Sequence, residues 1–160
     1  MGDAQATRIG SSPPLTIELV PSTSWRDNLR SRLSNAAWKQ LRHQQYQRAQ
    51  DRCEICGGQG KQQGYRWDLE CHEIWAYDEA HHIQKLLGLV ALCPDCHKVK
   101  HFGRTSTEGE REALRALLHL MRVNHWTRPV AESYIHRAFQ QWGARSQHTW
   151  VLDLSWLETA

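Results

Sequence analysis

The sequence has no long hydrophobic run, and this absence excludes one large class of proteins. No segment of the 160 residues reaches the roughly 18 consecutive apolar residues that a membrane-spanning helix needs. Met1–Pro14 lacks the apolar centre of a secretory signal and is rich in Gly, Ser, Ala and Pro, so we expect a flexible leader there. These absences predict a cytoplasmic protein with no membrane partner.

The sequence also lacks a large excess of charge of either sign, and its cysteines do not form a disulfide pattern. The net charge is only +3 with neutral histidines, a mild basic balance that permits nucleic-acid binding without requiring it. The five cysteines are an odd number, and four of them form two Cys-x-x-Cys pairs. That arrangement favours metal binding in a reducing compartment over a disulfide framework.

The apolar residues that are present suffice for one domain. Hydrophobic residues make up 40% of the chain and eight residues are Trp, which supports one compact core. We expect a single domain over residues 15–160. Within it, a core at 51–103 would carry helical extensions at 22–51 and 107–143.

Short signals organise the segment before the core. Leu15–Val20 alternates apolar and polar residues between two prolines and predicts a short strand. Ser22 or Ser24 can cap a helix that runs to Leu33, and Ser34 can cap a second helix. The second helix carries a basic face, which is typical either of a phosphate-binding surface or of a solvated helix.

Similar signals follow the core. Thr107 and Glu110 can form a capping box for a helix that ends at Asn124. Its apolar stripe consists of Leu114, Leu117, Leu118 and Met121. Pro129 begins another helix, and His148–Leu157 predicts a final strand that would pair with the one near the N-terminus.

The two Cys-x-x-Cys pairs are the strongest motif in the sequence. Each pair can form a knuckle that points two thiolates at one ion, and two knuckles complete a tetrahedron around a structural Zn²⁺. The predicted ligands are Cys53, Cys56, Cys93 and Cys96. The fifth cysteine, Cys71, lies in an apolar and aromatic run, so we expect a small buried hydrophobe there.

Histidines and acids lie between and beside the two knuckles. Leu69–Trp75 predicts a strand that presents His72 and Glu73 near its end. If a helix begins at Pro94, His97 and His101 are four residues apart and project from one face of it, as two imidazole ligands of one ion require.

This order of motifs resembles the HNH endonuclease family, whose ββα-metal fold places two strands and a helix around one catalytic divalent ion. The resemblance covers about Asp51–Gly103 and rests on a first knuckle, a Leu-Glu-x-His strand, a second knuckle and two trailing histidines. It implies an α+β fold with a zinc-anchored ββα-metal core and helical N- and C-terminal extensions.

The resemblance also implies a second metal site. His72, His97 and His101 would hold the catalytic ion, such as Mg²⁺, Mn²⁺, Ni²⁺ or Zn²⁺. Glu73 stands where the family has its general-base histidine, so the expected catalytic residues are Glu73 and His72. Gly88 stands where the family has an asparagine that orients the base.

The general base has alternatives, because a carboxylate with an ordinary pKa near 4.3 accepts protons poorly compared with imidazole. Glu73 can instead be a metal ligand or orient a metal-bound water. His81 and His82, near the expected hairpin connection, are substitute bases.

We therefore expect a metal-dependent HNH-type endonuclease that hydrolyses phosphodiester bonds, in DNA and with low sequence specificity. Lys98, Lys100 and Arg104 would hold flanking phosphates without reading bases. One alternative is a non-catalytic zinc module that binds nucleic acid or a protein partner. Another is an interaction protein that docks a partner through exposed tryptophans, with candidates Trp25, Trp38, Trp126 and Trp156.

Overall fold

The computed structural model describes residues 12–26 and 28–159. Its α-helices are α1 (Leu29–Arg32), α2 (Asn35–Arg48), α3 (Pro94–Lys100), α4 (Phe102–Thr107), α5 (Glu110–Asn124) and α6 (Arg128–Arg145). Its strands are β1 (Glu70–Asp78), β2 (Ile83–Leu92) and β3 (Val151–Asp153). The fold is mixed α+β, as predicted. The flexible leader expected at Met1–Pro14 lies, up to residue 11, outside the described residues.

A hairpin followed directly by a helix forms the centre of the molecule. Strands β1 and β2 are antiparallel, with Glu70 opposite Leu92 and Asp78 opposite Ile83, and a bulge interrupts the pairing between Ile74 and Trp75. Strand β3 adds to β2 in parallel. Pro94 lies in the first turn of α3, where its missing N–H costs nothing. The abrupt change from β2 to α3 therefore occurs at the second knuckle.

The segment at residues 15–20 is extended but is not a strand, so that prediction is wrong. The backbone N–H of Leu15 donates to Asn124 Oδ1, that of Ile17 to the Tyr134 hydroxyl, and that of Glu18 to the carbonyl of Lys100. Its neighbours are therefore helices, which have no free ladder to pair with. The expected pairing with the final strand is also wrong, because β3 pairs with β2.

The first predicted helix is mostly absent, whereas the second is confirmed. A 3-10 turn at Ser22–Ser24 replaces its start, and the four-residue α1 is capped by the Asn28 side chain, which accepts from Ser31 N. In α2, Ser34 accepts from Ala37 N, as predicted. Glu73 accepts the N–H of Leu29 at 2.9 Å, so a contact distant in sequence fixes where α1 begins.

Helices α5 and α6 lie where the sequence predicts them, but α5 is not capped as predicted. Helix α5 begins after Gly109, which has φ +125°, and Thr107 is the last residue of α4, so the capping box does not form. Helix α6 begins at Arg128 with Pro129 in its first turn, as expected. The buried side of α5 is rotated from the predicted stripe, since Leu114 and Leu118 are 46% and 52% exposed.

Two apolar clusters cover the hairpin. The larger one contains the four cysteines of the two Cys-x-x-Cys pairs. It also contains buried residues of the segment at 15–20, of β2 and of α3 to α6. The smaller one consists of Leu29, Leu86 and Leu89 with partly buried neighbours that include Trp75 and Cys71. Cys71 thus packs as a small hydrophobe, as predicted. In the described part of the chain, no helix is both long and apolar enough to cross a bilayer.

Candidate metal centres

The two Cys-x-x-Cys pairs meet at one point, as the sequence predicts. The four sulfur atoms of Cys53, Cys56, Cys93 and Cys96 all lie within 4.8 Å of one another. The Cys56 and Cys93 sulfurs are 3.5 Å apart, close to the roughly 3.8 Å between ligands of a tetrahedral Zn²⁺ with Zn–S bonds of about 2.3 Å. Three of the cysteines are buried. A closed set of four thiols is the chemistry of a structural zinc site.

Nitrogen donors point at these sulfurs, which is the environment that thiolates require. Gly58 N lies 3.4 Å from Cys56 Sγ, and Gln63 Nε2 lies 3.2 Å from Cys93 Sγ. His119 Nε2 lies 3.1 Å from Cys96 Sγ, and Arg122 contacts Nδ1 of the same ring at 2.9 Å. Because the guanidinium can only donate, Nδ1 accepts and Nε2–H donates to the sulfur. Such contacts stabilise the charge of metal-bound thiolates.

His119 is a residue that sequence reasoning assigned no chemistry. It lies on α5, 23 residues beyond Cys96, and is 5% exposed. Only the packing of α5 on α3 brings His119 close to Cys96, so no spacing motif in the sequence links His119 to a knuckle. The only local signal is Arg122, three residues further along the same helix face.

The predicted histidines form a second group beside the first. Donor nitrogens of His72, His97 and His101 lie within 4.8 Å of one another, and His72 Nδ1 is 3.3 Å from His101 Nε2. Imidazole nitrogens bound to one ion at about 2.1 Å are separated by about 3.0–3.4 Å. Strand β1 supplies His72, α3 supplies His97, and His101 caps the end of α3. Three imidazoles can therefore hold a divalent ion and leave positions open on it.

Carboxylates hold two of the three imidazoles from behind. Glu70 Oε2 lies 2.9 Å from His97 Nδ1, and Glu18 Oε2 lies 2.7 Å from His72 Nε2. A carboxylate on the far nitrogen of a histidine fixes the ring and its tautomer, which is the usual support of a metal-ligating imidazole. With these contacts, His72 Nδ1 and His97 Nε2 are the nitrogens left for an ion.

Neither Glu18 nor Glu70 was predicted as a site residue, although the sequence position of Glu70 could have indicated its role. Glu70 and His72 are two residues apart on β1, and strand alternation places such residues on one face. Glu18 comes from the extended segment 54 residues before His72 in the chain, and only the tertiary fold brings them together. Glu18 also accepts from Lys100 Nζ at 2.5 Å.

Burial keeps His72 and His101 neutral, the form that binds metals. Burial lowers the pKa of His72, against the opposing hydrogen bond to Glu18, and lowers the pKa of His101 to about 3 with help from the neighbouring imidazoles. Burial alone would raise the pKa of Glu18, but the hydrogen bond from His72 and the charge of Lys100 lower it to about 2. Glu18 is therefore ionised and His72 is not.

Glu73 is near the histidine group but is not one of its members. Its Oε1 accepts from Leu29 N at 2.9 Å and its Oε2 from Trp75 Nε1 at 3.2 Å. Burial raises its pKa, although these hydrogen bonds oppose the shift. The idea that Glu73 is a further ligand in the group is not supported, because its oxygens lie outside the cluster of donor atoms.

A cleft of about 570 Å³ opens over this region, which we call the histidine cleft. His72, His101, Glu18 and Glu73 all line it. Its basic lining residues are Arg30, Arg104 and Arg145. Arg145 is engaged with Glu79 at 2.7 Å, whereas the Arg104 side chain is 84% exposed. The carboxylate of Glu73 and the imidazoles thus share one concave surface with basic groups on it.

The basic residues beside the histidines have different surroundings from those predicted. Lys100 is 6% exposed and bonds to Thr16 and Glu18, so the expectation that it binds phosphate is wrong. Lys98 bonds to Glu108 and Glu112 at 2.8 and 2.7 Å, which neutralise it. Arg104 lies 3.9 Å from Glu108, but its side chain is exposed, so it is the one of the three that can still meet a substrate. Glu108 and Glu112 lie beyond the motif in the sequence, so the prediction for Lys98 did not take them into account.

The substitute bases His81 and His82 lie at the wrong end of the hairpin. They are in its turn, where His81 Nδ1 is 2.7 Å from Asp78 and His82 stacks on His148. With a strand rise of about 3.3 Å per residue, the turn is roughly 20 Å from His72. That alternative is therefore wrong.

Comparison of the chain with protein-family models, with curated proteins and with solved structures found no match.

Proposed function

We propose that the protein is a metal-dependent endonuclease of the HNH type, with a ββα-metal core, and that it hydrolyses phosphodiester bonds of DNA. The observation that carries the proposal is the three-imidazole group with carboxylates behind His72 and His97, built from a strand and the helix that follows the second zinc knuckle. A structural site has no need for open coordination positions, whereas a hydrolytic site depends on them.

The three imidazoles fit Zn²⁺ or Ni²⁺ better than Mn²⁺ or Mg²⁺, which prefer oxygen ligands. His72, His97 and His101 would hold the divalent ion. When bound, the ion supplies a Lewis acid that polarises a phosphodiester and stabilises the departing 3′ oxygen.

The residues of the chain divide the remaining tasks. Glu18 and Glu70 orient two imidazoles and keep their far nitrogens protonated. Glu73 is the proposed general base, and its burial favours that role because a raised pKa moves a carboxylate toward the operating pH. Arg104, exposed at the rim of the histidine cleft, holds a flanking phosphate without reading bases.

The test is cleavage of supercoiled plasmid by zinc-loaded protein in added Mg²⁺, Mn²⁺, Ni²⁺ or Zn²⁺. The variants are His97→Ala and Glu73→Ala, and the control is His136→Ala, which removes an exposed histidine of α6. We expect nicking by wild type and control, abolished by EDTA and reduced at least about a hundredfold in both site variants, in line with a general-base contribution of 10²–10⁴.

Each other outcome selects a different conclusion. Loss in His97→Ala with full activity in Glu73→Ala would assign the base to another group. No cleavage of plasmid, single-stranded DNA or RNA by wild type would refute the nuclease and favour the non-catalytic zinc module. The alternative of an interaction protein that docks through exposed tryptophans has less support. Of its four candidate tryptophans only Trp25 is exposed, and Trp25 already stacks on Trp142.

A further inference from the structure

A second cavity of about 730 Å³ adjoins the histidine cleft, and we call it the tryptophan cavity. The two share Glu18, Glu73, His101 and Arg104 as lining residues. The aromatic residues that line the tryptophan cavity are Trp25, Trp75, Trp142 and Phe139. The proposed site of cleavage thus opens onto a space whose walls include four aromatic side chains.

The indole N–H groups of this cavity are all bonded within the protein. Trp25 Nε1 and Trp142 Nε1 both donate to the carbonyl of Val20, at 2.9 and 3.0 Å, and their rings are stacked with centroids 6.3 Å apart. Trp75 Nε1 donates to Glu73. With their indole N–H groups bonded, these rings are held in place and have no free donor to offer a ligand. That is the character of a stacking platform for a planar ligand.

Gln84 differs from the other polar residues of the lining, because its buried amide has no partner among the residues that the structure describes. It is 0% exposed, and in the described part of the chain neither its Oε1 nor its Nε2 has a hydrogen-bond partner. A buried amide is normally satisfied, and leaving it without partners costs free energy. Among the lining residues of the tryptophan cavity, it alone has buried side-chain atoms in that condition. A ligand with a matching donor and acceptor would satisfy it.

We propose that the tryptophan cavity binds one unstacked nucleobase of the substrate strand, next to the phosphate that is cleaved. This inference rests on the proposed nuclease function and names its substrate class: a strand with an accessible base, single-stranded or locally opened. Stacking on the indoles supplies affinity, and the Gln84 amide, which has both donor and acceptor atoms, pairs with a donor and an acceptor on the free edge of an unpaired base. Arg104, on the shared rim, meets the attached phosphate.

The experiment is a fluorescence titration of zinc-loaded full-length protein, without other divalent ions, using the nucleoside monophosphates AMP, GMP, CMP and TMP. Ribose 5-phosphate serves as the abasic probe. Because tryptophans form the cavity, a stacked base should quench their emission. We expect saturable quenching, with AMP bound at least about tenfold more tightly than ribose 5-phosphate, since stacking on aromatic side chains contributes on the order of 1–3 kcal/mol per base.

Variants distinguish the contribution of Gln84 to nucleotide binding from a loss of folding. Gln84→Met should weaken AMP about tenfold, to the level that stacking alone supplies. The matched control Gln44→Met changes an exposed glutamine of α2 and should bind like wild type. Circular dichroism checks that each variant is folded. His97→Ala should abolish plasmid cleavage while keeping AMP affinity within twofold.

The two proposals fail in different ways. Equal affinity for AMP and ribose 5-phosphate, or unchanged AMP affinity in folded Gln84→Met, would overturn the base pocket even if plasmid is cleaved. Absence of cleavage together with Gln84-dependent AMP binding would overturn the endonuclease and leave the nucleotide pocket standing.

Discussion

Replacing Glu18 by Gln should weaken the histidine site although Glu18 is not one of its ligands. Glu18 lies 2.7 Å from His72 Nε2 and 2.5 Å from Lys100 Nζ, so one carboxylate supports both an imidazole and a buried ammonium. The substitution keeps the shape of the side chain and one acceptor oxygen, but it removes the charge. That acceptor can then serve His72 or Lys100 well, but not both.

The magnitude follows from those two contacts. Loss of a carboxylate behind a ligating histidine typically costs 10- to 100-fold in metal affinity, and we expect about tenfold here because the amide oxygen can still accept. The side chain of Lys100 is only 7% exposed, so its charge is left partly uncompensated. Breaking a buried pair costs about 3–5 kcal/mol, and about 2 kcal/mol is expected because Glu18 keeps 31% of its exposure and a hydrogen bond remains.

The assay is titration of Co²⁺ into zinc-loaded protein, followed by the visible absorption of the cobalt site, with urea unfolding of the same samples. Glu108→Gln is the matched control, because it removes a carboxylate from Lys98 while Glu112 remains bonded to that lysine. The control should bind Co²⁺ like wild type and lose less than about 1 kcal/mol. If the Glu18 variant binds Co²⁺ as tightly as the control, the orienting role of Glu18 is refuted.

Three further substitutions give separate tests of the fold. Cys96→Ser should abolish stoichiometric zinc and the cooperative thermal transition, since structural zinc contributes folding free energy directly; a native near-ultraviolet circular dichroism spectrum without zinc would contradict this. His119→Leu removes the N–H donor to Cys96 Sγ and should weaken zinc about tenfold in competition with a chromogenic chelator. An equal loss in His136→Leu, an exposed control, would exclude that cause. Gln84→Met removes an unsatisfied buried amide and should raise stability by about 1 kcal/mol, or about 3 °C in Tm; a lower Tm would show that the amide is satisfied in solution.

Local chemistry accounts for the parts of the metal centres that could be predicted from the sequence. The two cysteine pairs and the spacing of His97 and His101 are short motifs, and such motifs dictate geometry within a knuckle or a helical turn. His72 was placed by its position in the strand signal and by the order of the motifs. In each case, the residues that determine the geometry are close together in the chain.

The supporting residues could not be predicted in the same way, because they arrive from distant segments. Glu18 and His119 reach the centres through the packing of the N-terminal segment and of α5, and neither carries a motif. The strand predicted at residues 15–20 failed for a related reason: its alternation is real, but helices rather than a sheet edge lie beside it. Charge was misjudged at Lys100, since composition cannot tell a buried lysine from a solvated one.

Helix α3 has a consequence for how the protein matures. Cys96 and His97 are consecutive residues, so the last ligand of the cysteine group and the first helical histidine of the second group are joined by one peptide bond. Without zinc, the thiols of the two knuckles are not joined, and the start of α3 is held mainly through Asp95, which bonds to Tyr65 and Arg115. Filling of the cysteine group would therefore favour filling of the histidine group, so we expect metal affinity at the histidines to depend on zinc at the cysteines.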